Sequence, residues 1–119
     1  MENFQSGRLY YSAYHDHPNL KPLVLDFARE VGEDVALIEN DCRGGEAKKA
    51  AAQVHRLKGT AATYGFPVLA SKLQEIERHI PNFQEDPATH QQLLDELLEL
   101  QRISEEIARV YHPQHAIDK

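Results

Sequence analysis

Hydrophobic residues recur at steps of three and four along four stretches of the chain, with polar residues filling the gaps. In "NLKPLVLDFAREVGEDVALIEN" the residues Leu20, Leu23, Val24, Phe27, Val31, Val35 and Ile38 mark one helical face. Asn19 suits the N-cap and Pro22 the first turn, while Gly32 costs the helix interior about 1 kcal/mol. The next break is "RGGE", residues 43–46, because paired glycines end helices and admit left-handed backbone. A second, alanine-rich helix is expected from Glu46 to Tyr64, with Gly65 as its C-terminal stop. Pro67 opens a third helix, which carries Val68, Leu69, Leu73, Ile76 and Ile80 and ends at Pro81. "PNFQEDP" reads as a loop bounded by prolines. A fourth helix spans Pro87 to Val110, striped by Leu93, Leu97, Leu100, Ile103, Ile107 and Val110.

Residues 1–17 lack such periodicity and are rich in aromatics. Tyr10, Tyr11 and Tyr14 are expected to lie across the bundle as a lead-in segment or short helix. The closing "YHPQHAIDK" is polar and expected to fray, so residues 18–111 make the bundle and 112–119 its tail. No strand-like alternation occurs. The pattern predicts an all-α protein, an antiparallel four-helix bundle with a short N-terminal lead-in.

Composition narrows the class further. A chain of 119 residues is one domain's worth, and 41% hydrophobic with 27% charged residues fits a globular protein. No run approaches the roughly 20 apolar residues of a membrane span. "MENFQSGRLYYSAYHD" lacks the basic and apolar regions of a secretory signal, and the initiating methionine favours a free-standing protein. Cys42 is the only cysteine, which excludes an internal disulfide and a cysteine-built zinc site and makes the cytoplasm the default location. The net charge of −6 disfavours nucleic acid and anionic membranes as partners. A partner protein or a small ligand remains open, and a monomer is expected.

Projected on a helical wheel, the second helix has two distinct faces. Ala47, Ala50, Val54, Leu57, Ala61 and Tyr64 form the apolar stripe, and a neighbouring face holds Lys48, Ala51, Ala52, His55, Lys58, Gly59 and Ala62. One turn from His55 stand Ala51, Ala52, Lys58 and Gly59, three of them tiny. Such a cleared surface suits a nucleophile that another macromolecule must reach, and a neutral imidazole is poised for chemistry near neutral pH. Lys58 would offset negative charge brought to the ring. The same residues also fit a plainer account, in which His55 and Lys58 are solvated surface and Gly59 serves tight helix packing. Geometry alone leaves the two undecided.

"HRLKGTAATYG" resembles the signature of the histidine-containing phosphotransfer (HPt) domain, H-x-L-K-G-x-x-x-x-x-G. His55, Leu57, Lys58, Gly59 and Gly65 all match. Downstream, "GFPVLASKLQEIE" is similar to the family's glycine, spaced leucines and aliphatic–acidic pair, here Ile76–Glu77. The resemblance implies a phosphorelay intermediate of two-component signalling, a phosphoprotein that exchanges a phosphoryl group with receiver-domain aspartates. By position, His55 would be the phosphoacceptor, Lys58 the charge stabiliser, Gly59 the residue giving access, and Gly65 the end of the helix. Lys48, Ala51, Ala52, Arg56 and Ala62 would meet the partner. The partners implied are a response-regulator receiver and a hybrid or sensor histidine kinase. No cofactor of the chain's own is implied, and Mg²⁺ is expected from the receiver.

Other chemistries fit less well. There is no phosphate-binding G-x-x-x-x-G-K-[ST] loop, so the chain should not phosphorylate itself. No glutamate has a histidine three residues later, which disfavours a di-metal carboxylate bundle. His112 and His115 have a possible ligand spacing, but Pro113 interrupts any helix between them, and no metal is expected. The remaining alternative is a helical binding module that docks on a receiver or kinase and inhibits it without taking phosphate.

Overall fold

The computed structural model describes residues 10–111. Among these are four α-helices: α1 (Lys21–Arg43), α2 (Ala47–Thr63), α3 (Pro67–His79) and α4 (Pro87–Val110). α1 packs on α2 and α4, and α3 packs on the same two, which closes a four-helix bundle around one core. The connections after α1 and α2 are three residues each, Gly44–Glu46 and Tyr64–Phe66. Links that short oblige neighbouring helices to run antiparallel.

Both tight connections are built the same way. Gly45 (φ 76°) and Gly65 (φ 80°) have left-handed backbone. Gly45 N–H donates to the Cys42 carbonyl at 3.2 Å and Glu46 N–H to that of Asp41 at 2.8 Å. Gly65 N–H donates to the Ala62 carbonyl at 3.2 Å and Phe66 N–H to that of Ala61 at 2.9 Å. These are paired Schellman bonds, which satisfy carbonyls left free at a helix end. The expected stop at Gly65 and the first-turn position of Pro67 are therefore observed. α4 also begins where the sequence places it. The Asp86 carboxylate accepts from Ala88 N–H at 3.2 Å and from Thr89 Oγ1 at 2.7 Å, ahead of Pro87 in the first turn.

Four expectations need correction. The N-cap of α1 is Leu20, not Asn19. No side chain caps the helix; the imidazole of His17 instead braces the turn before it, its Nδ1 accepting from the amides of Asn19 and Leu20, both at 3.2 Å. Leu23 is 44% exposed, because it lies about 100° around the helix from Val24, the centre of the packed arc. The segment after α3 is more ordered than a loop. It continues as a 3₁₀ turn, Ile80–Asn82, and it buries Ile80 and Phe83 in the core. Finally, Tyr111 does not belong to a frayed tail, for it is only 6% exposed. The rest of the expected tail, and residues 1–9 of the lead-in, lie outside the described residues.

Tyr111 holds the lead-in segment. Its Oη accepts from the Ser12 amide at 2.8 Å and shares a hydrogen bond of 3.1 Å with His15 Nδ1. Burial pushes the Tyr111 phenol up, so it stays protonated. Ser12 Oγ donates to the carbonyl of Tyr64, and Ala13 N–H donates to that of Gly65 at 2.7 Å. Residues 10–20 form turns, not a helix. Of the three expected lead-in aromatics, Tyr10 packs against the core while Tyr11 and Tyr14 remain 39% exposed. Gly65 is thus needed twice. Besides its left-handed backbone, a Cβ there would come within 2.8 Å of Tyr14 Cδ2 and 3.0 Å of both Ala13 N and Ser12 Oγ.

Candidate functional site

α2 is fixed by burying Ala50, Val54, Leu57 and Ala61, which turns His55 outward in mid-helix. The imidazole is 74% exposed. It is nevertheless held in place, because Nδ1 lies 3.0 Å from Oε2 of Glu77 on α3. The other oxygen of that carboxylate accepts from Lys58 Nζ at 2.6 Å. One glutamate therefore joins the two residues that the sequence placed one turn apart.

The electrostatics follow from this sharing. The Lys58 ammonium holds the Glu77 carboxyl below the ordinary glutamate range, with burial opposing it and the His55 ring adding a lesser pull in the same direction as Lys58. An ionised carboxylate is purely an acceptor, so the ring proton of a neutral His55 sits on Nδ1. The lone pair is then on Nε2, to which no described residue bonds. Lys58 is not a free surface cation. Its side chain is 28% exposed and its charge is already committed to Glu77.

The surroundings of the ring are bare. Gly59 is exposed, and a Cβ added there would meet nothing within 4 Å. Helix packing accordingly does not explain this glycine. Ala52 and Ala62 are exposed, whereas Ala51 is half-buried against the core. Lys48 is exposed. Arg56 is exposed on the opposite flank of the ring from Lys58, sharing a small cleft between α1 and α2 with Asp34 and Gln53. Burial and the nearby Glu30 raise the Asp34 carboxyl, with the Arg56 charge only partly opposing them. In charge, α2 is unlike the whole: it carries Lys48, Lys49, Arg56 and Lys58 and no carboxylate, in a chain of net −6.

The structure thus brings together His55, Lys58, Gly59, Ala52 and Ala62, and adds a residue to which spacing assigned no role. Glu77 was visible only as the acidic half of Ile76–Glu77. Its clue is its position beside the buried Leu73–Ile76 stripe of α3, but its partners lie 22 and 19 residues away. Among the described residues no cluster of three or more His, Cys, Asp or Glu is arranged to hold a metal ion. His112 and His115 lie outside the described residues.

A family model, described as Hpt domain, matches residues 22–111. The chain belongs to the Hpt domain family. The match takes in nearly all of α1 and the whole of α2, α3 and α4, so it covers both the bundle and every residue of the His55 site. No curated protein and no solved structure gives a match. Hpt domains act in the phosphorelays of two-component signalling, working with receiver domains and histidine kinases. No helix among the described residues is long and apolar enough to cross a membrane.

Proposed function

We propose that His55 is the phosphoacceptor of a cytoplasmic phosphorelay intermediate, exchanging a phosphoryl group with the aspartate of a receiver domain. The observation that carries this reading is the Glu77 bridge. It ties Nδ1 and leaves Nε2 of an exposed ring as the available nucleophile.

In the forward step the Nε2 lone pair attacks phosphorus of the receiver's aspartyl phosphate. An N–P bond forms, the P–O bond to the aspartate breaks, and the electron pair leaves with the carboxylate. The ring keeps its Nδ1 proton and becomes positively charged, and the Glu77 carboxylate faces that charge. Lys58 stands one turn from His55 on α2 and can turn from Glu77 towards the incoming phosphoryl oxygens. The chain contributes position and charge, and Mg²⁺ carried by the receiver would offset the remaining phosphoryl charge. The reverse step uses the same contacts. Gly59, Ala52 and Ala62 leave room for the partner, and the cations of α2 attract its acidic site.

The test is to mix the protein with phosphorylated receiver and Mg²⁺ and look for base-stable, acid-labile phosphate on it. His55→Gln should abolish the label. Transfer that persists in His55→Gln would overturn the assignment. Binding without transfer, across all receivers of the same genome, would replace it with the inhibitory module.

A further inference from the structure

We propose that Lys58 and the His55 ring take turns as the counter-charge of Glu77: Lys58 holds the carboxylate in the resting protein, and the ring takes it over when Nε2 receives the phosphoryl group. This inference rests on the reading of His55 as phosphoacceptor and deepens it, by giving the order in which the charges of the site pair.

The carboxylate serves the two residues through different oxygens. Oε1 of Glu77 accepts from Lys58 Nζ at 2.6 Å, and Oε2 lies 3.0 Å from His55 Nδ1. Lys58 and Glu77 are 28% and 29% exposed, so solvent screens their pairing less than that of a fully open pair. With His55 neutral, the three groups hold one negative and one positive charge, and both are used between Lys58 and Glu77. A carboxylate without that partner would favour a positive ring. The extra proton would then sit on Nε2 and occupy the lone pair that attacks phosphorus. By neutralising Glu77, Lys58 keeps the lone pair free. At this stage Lys58 acts through Glu77, as a positioning residue.

Transfer reverses the need. Once Nε2 is bonded to phosphorus, the ring is a cation that still holds its Nδ1 proton, and the phosphoryl oxygens bring new negative charge. The cation already faces Oε2 at hydrogen-bond distance, and the released ammonium can pair with the phosphoryl oxygens one turn away. Each charge thus has a partner in both states. The neighbouring charged groups stand apart from this bridge. Lys48 and Arg56 share α2 with the ring, and Asp34 of α1 enters the cleft that Arg56 lines, on the flank away from Lys58. On α3, Lys72 and His79 are turned to α4, where they bond Glu99 and Glu96.

The test is a double-mutant cycle on the free protein, with Lys58→Met, Glu77→Gln and the two combined, and Lys58→Arg as the variant that keeps the charge. Circular dichroism checks that each folds. Ring titration is followed by NMR. His55 is labelled with phosphoramidate, whose P–N bond breaks with loss of ammonia as the bond from Nε2 to phosphorus forms. We expect the ring of Lys58→Met to titrate about half a pH unit above wild type, the size of one screened ion pair. Its labelling at a pH below both midpoints should fall about threefold, in proportion to the neutral ring. The rise should vanish in the Glu77→Gln background, and Lys58→Arg should titrate near wild type. The ³¹P resonance of the phosphohistidine should differ between labelled wild type and labelled Lys58→Met. A midpoint that does not rise, or that rises as much with Glu77→Gln present, would overturn the inference, since Lys58 would then act on the ring directly or not at all. Identical ³¹P resonances would overturn it as well, because the ammonium would have stayed on Glu77. Both results leave receiver-dependent labelling of His55 standing. If neither phosphoramidate nor any phosphorylated receiver labels His55 in wild type, the functional reading and this inference fall together.

Discussion

Replacing Gly59 separates the two reasons a helix can have for keeping a glycine. If Gly59 allows close helix packing, a larger residue destabilises the bundle and affects transfer only through the fold. If it keeps the approach to His55 clear, a larger residue stabilises the helix and slows transfer. A Cβ at Gly59 meets nothing within 4 Å, and the residue lies inside α2 without left-handed backbone. The full propensity difference should therefore be recovered, about 0.8–1.0 kcal/mol for Gly59→Ala and roughly half a kcal/mol or more for Gly59→Gln. For a bundle of this size that raises Tm by roughly 4 °C in Gly59→Ala. Gly59→Gln places a long side chain one turn from His55, in the path proposed for the receiver. Its receiver-dependent transfer should fall by about tenfold, equivalent to roughly 1.4 kcal/mol of barrier. Thermal melts and transfer kinetics on the same two variants decide the matter. A lower Tm in Gly59→Ala, or a wild-type transfer rate in Gly59→Gln, would refute the reasoning.

Three further outcomes follow from the geometry. Glu77→Gln keeps an acceptor near Nδ1 but removes the negative charge that faces the ring as it becomes cationic. At a site this exposed the loss is about 1 kcal/mol, so transfer should slow roughly fivefold, and ring ¹⁵N spectra should show weaker preference for the Nδ1-protonated tautomer. Gly65→Ala forces a Cβ into left-handed backbone and into Tyr14, which should destabilise by about 1–3 kcal/mol and speed hydrogen exchange of the Ala13 amide. The third concerns acid. Lys58 and Lys72 hold Glu77 and Glu99 below the ordinary glutamate value of 4.5. A depressed carboxyl stabilises the fold above its unfolded value and loses that contribution as pH falls through the folded one. The urea midpoint should therefore decline below about pH 4.5, and less steeply in Glu77→Gln.

Much of the bundle was legible because its causes are local. Helical spacing, Pro67 and Pro87 in first turns, and glycines at Schellman positions are properties of a few adjacent residues. The start of α4 at Pro87 and the stop at Gly65 are examples. Contacts between distant parts of the chain were not legible. Ser12 and Tyr111 lie 99 positions apart, and no periodicity links them. Glu77 has the same difficulty: its side chain points at His55 only because of how α3 packs beside α2. Leu23 was misplaced because a step of four from Phe27 is compatible with either rim of the packed arc. Asn19 missed the N-cap position by one residue, because the turn that His17 Nδ1 braces through the amides of Asn19 and Leu20 sets where α1 begins. At the site itself, the signature residues and the clear surface could be read from α2 alone, whereas the carboxylate that organises them could not.

The bonds of Ser12 to Tyr111 and Tyr64 bring the entry and exit of the described chain to a single point at one end of the bundle. His55 lies half-way along α2, away from that point. Changes at the Ser12–Tyr111 end are consequently separated from the exposed His55 face by half the length of α2.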